Sequence, residues 1–474
     1  MHAPFVGMYV CGPTVYSNVH LGNVRTFLTF DIVFRYLQYL GYKVRYVRNI
    51  TDVGHLENDV DEGEDKIAKK ARLEALEPME IVQRYTNDFH EVLNHFNLLP
   101  PSVEPSATGH ILEQIESVKA LIEVGLAYEA AGSVYFDVLK YNQHHNYGIL
   151  SGRIIEDLLS ETRELDGQSE KRNPLDFAIW KNASPEHIMR WPSPWGMGFP
   201  GWHLECTSMS TKYLGPHFDI HGGGMDLKFP HHECEIAQAV GINGEEPARY
   251  WMHTNMLTVN GEKMSKSKNN SFLPAQLFTG DHPLLQQAYS PMTVRFFMLQ
   301  AHYRSTLDFS NEALIAARKG YIKLINGLHI LDKLVYPAEA EVKPETDAEL
   351  IKLTKDCFNG LNDDLNTART IASLFNLLKK INSFYTGNIG LGSITAETFN
   401  YAKETYRVLV LDILGLQEES TADTGQLFGV LLRFYQEAKE AKDYARVDEI
   451  RAEFKKQGVV IKDMKTGVDW AYEE

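Results

Sequence analysis

Cysteine, histidine and glutamate side chains in this sequence are spaced as ligands of a metal ion would be. His231 and Glu235 are four residues apart in a predicted helix, so they share one face and can hold one cation. Cys234, three residues from His231, competes with Glu235 for that place, and Cys11 and Cys206 are further candidates. The alternative is a pair of buried thiols beside a surface His–Glu pair. On spacing alone we favour that alternative, because no closed zinc signature matches.

Two lysines flank small hydroxyl residues in the polar segment 260–270. Lys263 and Lys266 belong to the run Lys263-Met264-Ser265-Lys266-Ser267 in a predicted flexible loop. Two such cations suit a clamp on a polyphosphate. The competing interpretation is a solubilising basic turn, which most short lysine runs are.

Two turns between predicted strands and helices suit nucleotide binding. His20 and Gly22 stand at the start of a predicted helix, where free backbone amides and the helix dipole favour an anion. Asp226 follows a glycine run, where its carboxylate can accept hydrogen bonds from ribose hydroxyls. Each turn by itself is a weak indication, since similar turns occur for packing reasons.

The elements around these residues predict an α/β fold. A short apolar strand at 7–11, an amphipathic helix from Asn23 to Gly41 and a second strand at 43–49 form a βαβ unit. Parallel strands gather their carboxyl ends at one edge of a sheet. That edge can bring Cys11 to the helix of His231, although the two residues are far apart in sequence.

The remaining segments predict a Rossmann-like parallel-sheet domain split by an α+β insertion, then an α-helical bundle and a small α/β appendix. We expect 156–172 to be a loop, 191–202 to be too rich in Pro and Gly for regular structure, and 217–221 and 251–259 to be strands. Beyond residue 304 we expect helices without strands, and one strand near 458–461. The expected domains are 1–100 with 195–305 (catalytic), 101–194 (insertion), 306–420 (bundle) and 421–474 (appendix).

Composition limits the function classes. The 474 residues carry a net charge of −16, so nucleic-acid binding would need local basic surface within an acidic protein. Four cysteines in so long a chain argue against a disulfide scaffold. No apolar run predicts a membrane span and no signal segment is evident, so we expect a cytoplasmic protein without a membrane partner.

The combination of motifs resembles one enzyme family. His20-Leu21-Gly22-Asn23 with Lys263-Met264-Ser265-Lys266-Ser267 resembles the paired signature of class I aminoacyl-tRNA synthetases. The surrounding segments narrow this to cysteinyl-tRNA synthetases over essentially the whole chain. They are Tyr9–Tyr16, Gly201–Cys206, Phe218–Gly224, Phe229–Glu233, His302–Ser305 and Asp448–Arg451.

The resemblance implies roles residue by residue. Zinc, one ion per chain, would be held by Cys11, Cys206, His231 and Glu235, which reverses the preference stated above. His20, Lys263 and Lys266 would be catalytic, and Thr51 and Trp202 would line a cysteine pocket. The implied ATP-binding residues are His20, Gly22, Asn23, Asp226 and Lys266. Asn23 is a departure, since the family commonly has His there and Asn carries no charge.

The implied reaction joins L-cysteine to ATP, with Mg²⁺, as an adenylate and then transfers the acyl group to cysteine tRNA. We expect a monomer whose helical region and appendix contact the tRNA. Two rivals are a paralogous ligase that joins cysteine to an amino-sugar, and a non-catalytic zinc-stabilised RNA-binding or regulatory protein. The region 425–474 counts against the first, and intact His20 and Lys266 count against the second.

Overall fold

The computed structural model describes residues 3–56, 65–161, 170–264, 270–419, 424–456, 459–464 and 467–472. The chain divides into two compact units, Met1–Gln417 and Glu418–Glu474. The expected boundary after residue 420 lies close to this division. Within the described ranges, no helix has both the length and the apolar character that crossing a bilayer requires.

A strand–helix–strand unit opens the first unit, which confirms the predicted βαβ start. β1 pairs with β2 in parallel, from Phe5 opposite Lys43 to Val10 opposite Arg48. Helix α1 lies between them in sequence and buries Phe27, Phe30 and Phe34. The elements are β1 Phe5–Val10, α1 Leu21–Tyr39, β2 Lys43–Arg48, α2 Lys66–Glu74 and α3 Pro78–His95.

A five-stranded antiparallel sheet of order β3-β4-β5-β7-β6 follows. Its last strand ends at Pro200, so the expected insertion limit at residue 194 falls inside the sheet. Part of the expected loop at 156–172 is helical, and 162–169 lies outside the described residues. The elements are α4 Ile111–Glu123, β3 Ala127–Ala130, β4 Ser133–Phe136, α5 Val138–Asn142, α6 Ile155–Glu161, β5 Phe177–Asn182, β6 Trp191–Ser193 and β7 Gly196–Pro200.

The prediction that residues 191–202 lack regular structure is wrong, because β6 and β7 form a hairpin. Pro192 lies in the edge strand β6, where a missing backbone donor is tolerated. Gly198 pairs with β5, and a Cβ atom there would lie 2.3 Å from the indole nitrogen of Trp180. Glycine therefore allows this strand to pack against the tryptophan.

The parallel sheet is completed by the second half of the unit, in the order β2-β1-β8-β9. A smaller sheet joins β10 to β11 and β12, so the expected strand at 251–259 is two strands and one more follows it. The elements are α7 Trp202–Leu214, β8 Phe218–Gly224, α8 His231–Asn243, β9 Ala248–Thr254, β10 Leu257–Val259, β11 Glu262–Lys263, α9 Pro274–Thr279, α10 Pro291–Leu299 and β12 Leu307–Phe309.

The glycine run after His221 continues strand β8 to Gly224, although a turn was expected there. The packing of helix α1 explains why the first residue of this run, Gly222, is glycine. A Cβ atom on Gly222 would lie 2.0 Å from the ring of Phe30. The close approach of α1 to β8 requires this residue to be glycine.

Helices make up the rest of the first unit, as predicted, although β12 precedes them beyond residue 304. The last helix continues into a π-helical segment, Val408–Ile413. The helices are α11 Asn311–Lys333, α12 Pro344–Asp356, α13 Thr367–Tyr385 and α14 Ala396–Arg407.

The second unit is a helix pair with a two-stranded antiparallel sheet. One strand was predicted and the structure has two. Its core contains Tyr435, Val447 and Phe454. The elements are α15 Thr424–Glu440, α16 Tyr444–Lys456, β13 Val459–Met464 and β14 Gly467–Tyr472.

Candidate active site and metal centre

A cavity of about 460 Å³ opens at the carboxyl ends of the parallel strands. This is the edge at which open parallel sheets place ligands. Its lining includes the β1–α1 connection, the end of β2, the start of α7, and the segment from the end of β8 into α8. Met264, Ser271 and Leu273, on either side of the signature loop, also line it. Sequence-predicted site residues that line it are Cys11, His20, Asn23, Thr51, Trp202, Cys206, Asp226 and His231.

Four of the predicted metal ligands lie together. The ligand atoms of Cys11, Cys206, His231 and Glu235 are all within 4.8 Å of one another, and all four residues are buried. The two sulfur atoms are 3.7 Å apart. Glu235 Oε1 lies 3.5 Å from Cys11 Sγ and 3.2 Å from His231 Nε2. β1, α7 and α8 each carry part of this group to one end of the sheet.

The arrangement and chemistry of these groups fit zinc. Zinc takes sulfur, nitrogen and oxygen ligands in a tetrahedron. Two sulfurs at the usual zinc distance of about 2.3 Å are roughly 3.8 Å apart in a tetrahedron. The observed separation of the two cysteine sulfurs agrees with that value.

Burial shifts the pKa values of the two cysteines and the histidine in this cluster. It raises the pKa of the Cys11 thiol well above its ordinary value, and the neighbouring Cys206 adds to the rise. Burial also raises the pKa of Cys206 to about 12. It lowers the pKa of His231 well below its ordinary value. A divalent cation offsets the cost of ionising the thiols, because thiolate is the form that binds metal.

Histidines that the sequence analysis did not assign surround the cluster. A second set of buried candidate ligands consists of Cys11, His221, His232 and Glu235. His221 Nε2 lies 2.8 Å from Glu235 Oε2, and His232 Nε2 lies 3.4 Å from Cys11 Sγ. The adjacent His231-His232 pair was the available signal, but sequence spacing could not show that β8 adds His221.

Other ring contacts hold the predicted ligand His231. The Nδ1 atom of His203 lies 2.9 Å from His231 Nδ1, within hydrogen-bonding distance. The indole ring of Trp202 packs on the same imidazole, with ring centroids 4.5 Å apart. These contacts leave Nε2 of His231 facing Glu235.

The remaining two cysteines lie elsewhere. Cys234 Sγ is 3.4 Å from the hydroxyl oxygen of Tyr147, in the apolar core of the inserted sheet. Cys357 Sγ is 3.3 Å from the backbone oxygen of Leu353. Cys234 therefore lies apart from the cluster that contains Glu235.

His20 and Asn23 cap the first helix. His20 is its N-cap, and its Nδ1 atom accepts hydrogen bonds from the backbone N–H groups of Gly22 (3.1 Å) and Asn23 (3.4 Å). Asn23 Oδ1 in turn accepts one from the backbone N–H of His20, at 3.2 Å. The reciprocal pair is a capping box, which fixes the His20 ring beside the cavity.

The other residues predicted to contact the nucleotide belong to the 3₁₀ turn after β8 and to the signature loop. Asp226 is exposed, on a 3₁₀ turn after β8. The backbone of Lys263, in β11, pairs with that of Thr258 in β10. Lys266 lies outside the described residues. The methyl group of Met264 would lie 3.6 Å from a Cβ atom on Gly22, which brings the signature loop to the start of α1.

The predicted cysteine-pocket residues have well-defined neighbours. The Thr51 hydroxyl donates to Oε1 of Glu205, and Asn49 Nδ2 donates to Thr51 Oγ1 at 3.1 Å. The ring of Trp202 stacks on His55 with centroids 3.9 Å apart. Sequence reasoning missed both Glu205 and His55. Glu205 stands beside Cys206 in the sequence, which was the available signal.

Comparison with known proteins identifies the family. Residues 1–319 match the model of the class I (C) tRNA synthetase catalytic domain, and residues 359–418 match a DALR domain. A cysteine–tRNA ligase of Cytophaga hutchinsonii is 62% identical over 100% of this chain and 96% of its own length. The cysteine–tRNA ligase of Deinococcus radiodurans is 47% identical over 98% and 92%.

Solved structures agree on the fold. Methionyl-tRNA synthetase of Mycobacterium tuberculosis, in complex with methionyl-adenylate, superposes with a TM-score of 0.61 at 15% identity. That match covers 90% of this chain and 94% of the other. A putative arginyl-tRNA synthetase from Campylobacter jejuni gives a TM-score of 0.56 at 12% identity, covering 88% and 94%. The sequence matches, which extend over nearly the whole chain, show that it belongs to the cysteine–tRNA ligases of the class I aminoacyl-tRNA synthetase family.

Proposed function

We propose that this chain activates L-cysteine with ATP and transfers it to the 3′ end of cysteine tRNA, using an active-site zinc to select the substrate thiol. The observation that carries the proposal is the position of the buried cluster of Cys11, Cys206, His231 and Glu235. It stands at the wall of the same cavity that His20 borders. An ion bound there and a nucleotide at the start of α1 would face one substrate.

The two candidate ligand sets differ in how many of their residues line the cavity. A catalytic zinc keeps one position open to substrate. Cys11, Cys206 and His231 line the cavity, whereas His221 and His232 are not among its described lining residues. We therefore assign the first set to zinc. His221 would hold Glu235 from behind, as outer partners of metal ligands do.

Selection of cysteine over serine follows from this ligand set. Shape alone separates such similar side chains by only ~10–200-fold. One zinc ion held by two thiolates would supply a soft Lewis acid that prefers a third sulfur to a hydroxyl. The protein would hold these ligands in fixed positions beside the cavity. It would also place Thr51 and Trp202 around the rest of the amino acid.

Adenylate formation needs positioning and charge stabilisation, with no nucleophile from the enzyme. The substrate carboxylate attacks the α-phosphate of ATP, and pyrophosphate leaves. We assign stabilisation of the growing phosphate charge to His20, Lys263 and Lys266, with Mg²⁺ entering on ATP. Gly22 and Asn23 shape the start of α1, and the exposed Asp226 carboxylate is assigned to the ribose.

We propose that the helical segment and the second unit bind the tRNA. Cations of the second unit are partly paired within it. Lys439 and Arg451 both contact the carboxylate of Asp463, at 2.9 Å and 2.5 Å. Recognition there would thus depend on shape as well as on phosphate contacts.

Cysteine-dependent exchange of labelled pyrophosphate into ATP tests the function, followed by charging of cysteine tRNA. We expect exchange with cysteine, weak exchange with serine, and acylated tRNA. Exchange without tRNA charging, but with product formation on an amino-sugar, would favour the paralogous ligase. Absence of exchange from the zinc-loaded chain would contradict the proposal.

A further inference from the structure

Arg25, on helix α1, is a buried cation that binds backbone carbonyl groups from two distant segments. Its side chain is 2% exposed. The Nη1 atom donates to the carbonyl oxygens of Asn255 (3.0 Å) and Met256 (2.7 Å). The Nη2 atom donates to those of His302 (3.3 Å) and Ser305 (2.5 Å). One planar guanidinium group therefore fixes both segments relative to α1.

The partners of Arg25 are unusual for a buried cation. Burial lowers the pKa of Arg25 to about 10, so the group still carries its proton at neutral pH. Buried charges are generally paired with an opposite charge, as Arg295 is with Asp31 at 2.6 Å. Within the described part of the chain, Arg25 has no carboxylate partner. Backbone oxygens alone offset the cost of burying its charge, so both segments must keep these oxygens in place.

The two segments lead into strands that pair with each other. The segment 255–256 precedes β10, and the segment 302–305 precedes β12. The carbonyl oxygen of Met256 accepts from the backbone N–H of Leu307, at 3.2 Å, as well as from Arg25. Arg25 therefore joins α1 to the start of the pairing between β10 and β12.

A second side chain connects the same two segments. Asn255 Oδ1 accepts from the backbone N–H of Met256 at 2.7 Å, and its Nδ2 atom donates to the carbonyl oxygen of Arg304 at 2.8 Å. The backbone N–H of Asn255 donates to the carbonyl oxygen of Tyr303, also at 2.8 Å. These hydrogen bonds fix the backbone whose carbonyl groups Arg25 binds.

The junction lies between the two parts of the proposed nucleotide site. His20 caps α1 five residues before Arg25. The β10–β11 hairpin (257–263) carries the chain to Met264, whose methyl group would lie 3.6 Å from a Cβ atom on Gly22. His20 and Met264 both line the cavity. Since a misplacement of about 1 Å can cost ~10²-fold in rate, the spacing of α1 and the hairpin matters for catalysis.

We propose that Arg25, assisted by Asn255, is a positioning residue for adenylate formation, which holds the β10–β11 hairpin at a fixed distance from the His20 end of α1. Neither Arg25 nor Asn255 is among the described residues that line the cavity, so they act through the groups they hold. The inference rests on the proposed function. It adds how the two separated signature segments are kept in register with each other.

The first turnover of the enzyme separates positioning from folding. The zinc-loaded full-length chain is mixed rapidly with saturating cysteine and ATP in the absence of tRNA, and the burst of enzyme-bound adenylate is followed by chemical quench. The amplitude of the burst counts active molecules, whereas its rate constant reports the chemical step. A folding defect lowers the amplitude, and a positioning defect lowers the rate constant. Calorimetry measures cysteine affinity in the same samples.

The test variants are Arg25→Lys and Asn255→Ala, and Arg35→Lys is the matched control. Lysine keeps the charge of Arg25, but its compact ammonium group cannot span four carbonyl oxygens. Arg35 lies on the same helix and also donates to distant backbone carbonyl groups, those of Asn97 (2.6 Å) and Asp412 (2.9 Å). It makes no contact with the segments that precede β10 and β12 in the described structure.

We expect Arg25→Lys to lower the rate constant about tenfold or more, since the groups at the start of α1 and on the hairpin lose their alignment. Asn255→Ala should lower it about threefold or more, the scale for one lost hydrogen bond. Cysteine affinity and burst amplitude stay unchanged in both variants, and Arg35→Lys keeps the full rate constant. A reduced amplitude with an unchanged rate constant in Arg25→Lys would indicate a merely structural role and overturn the proposal. An equal fall in rate constant in Arg35→Lys would overturn it too.

The two proposals fail separately. If Arg25→Lys does not fold, an unchanged rate constant in Asn255→Ala still overturns the inference, because Asn255 connects the same segments. Absence of adenylate from the unsubstituted, zinc-loaded chain would overturn the proposed function itself. A normal burst from that chain, with unchanged rate constants in both variants, would retain the proposed function and lose this assignment.

Discussion

His20 and Asn23 hold each other at the start of the first helix. The imidazole accepts from the Asn23 backbone, while the Asn23 side chain accepts from the His20 backbone. The family's usual histidine at the second position would bring a charge that Asn23 lacks. In this chain Asn23 supplies a side-chain oxygen that orients the catalytic candidate His20.

Replacing Asn23 by alanine should raise the KM for ATP about fivefold, because loss of a cap interaction costs about 1 kcal/mol and frees the His20 ring. Pyrophosphate exchange at varied ATP concentration measures this. Asn87→Ala, on the exposed face of α3, is the control and should leave KM unchanged. An unaltered KM in the Asn23 variant would show that the cap does not position His20 for catalysis.

Cys206→Ser should remove bound zinc and weaken cysteine binding together, because a hydroxyl is a poor zinc ligand beside thiolate. Metal content by mass spectrometry and cysteine-dependent exchange are the two measurements. Cys234→Ser is a close control, since Cys234 is buried against Tyr147 away from the cluster. Normal cysteine affinity in a zinc-free Cys206 variant would refute the selection mechanism.

Lys266→Ala should slow pyrophosphate exchange by at least ~10²-fold, the scale for loss of one preorganised charge donor. The substitution lies in the signature loop outside the described residues, so folding should be checked by circular dichroism. Lys228→Ala, on the 3₁₀ turn after β8, tests whether any nearby lysine has the same effect. Near-normal exchange in Lys266→Ala would remove this residue from the mechanism.

Glu104→Gln should lower stability at neutral pH, with an effect that vanishes in acid. Burial alone raises the pKa of Glu104, but the His90 hydrogen bond and the charge of Arg48 outweigh it and bring the pKa below its ordinary value. A carboxylate with a lowered folded-state pKa stabilises above the unfolded pKa of about 4.3 and loses this effect as pH falls.

The unfolding temperature of Glu104→Gln at pH 7 should lie about 1–3 °C below that of the unsubstituted chain. The difference should shrink as pH falls through 4. Glu123→Gln, at an exposed position at the end of α4, should show no such trend. A difference that persists unchanged at pH 3 would assign the effect to packing.

The first βαβ unit could be predicted because its signals are local. Apolar periodicity marks α1, and Gly12 and Gly41 interrupt the chain on either side of it. The hairpin at 191–200 could not be predicted, because its proline and glycines are acceptable only in an edge strand and against Trp180. Such tolerance depends on neighbours distant in sequence.

The candidate site likewise has features that local sequence patterns predict and features that depend on residues distant in sequence. Sequence spacing placed His231 and Glu235 on one helix face, which the structure confirms, yet Cys234 remained a competitor until its contact with Tyr147 was known. Assembly of Cys11 with that helix was expected from the sheet edge. The contributions of His221 and Glu205 depend on strand order and on helix rotation, which local patterns do not encode.

The central position of β1 has a consequence for synthesis of the chain. Its partner β2 follows closely, but the contact of Gly7 with Asp219 in β8 spans 212 residues. At typical translation rates the ribosome needs roughly 10–40 s to make that length. Throughout this interval the nascent chain carries a bare strand edge open to misassociation. The strand order thus leaves the β8-facing edge of β1 without its partner until more than two hundred further residues have been made.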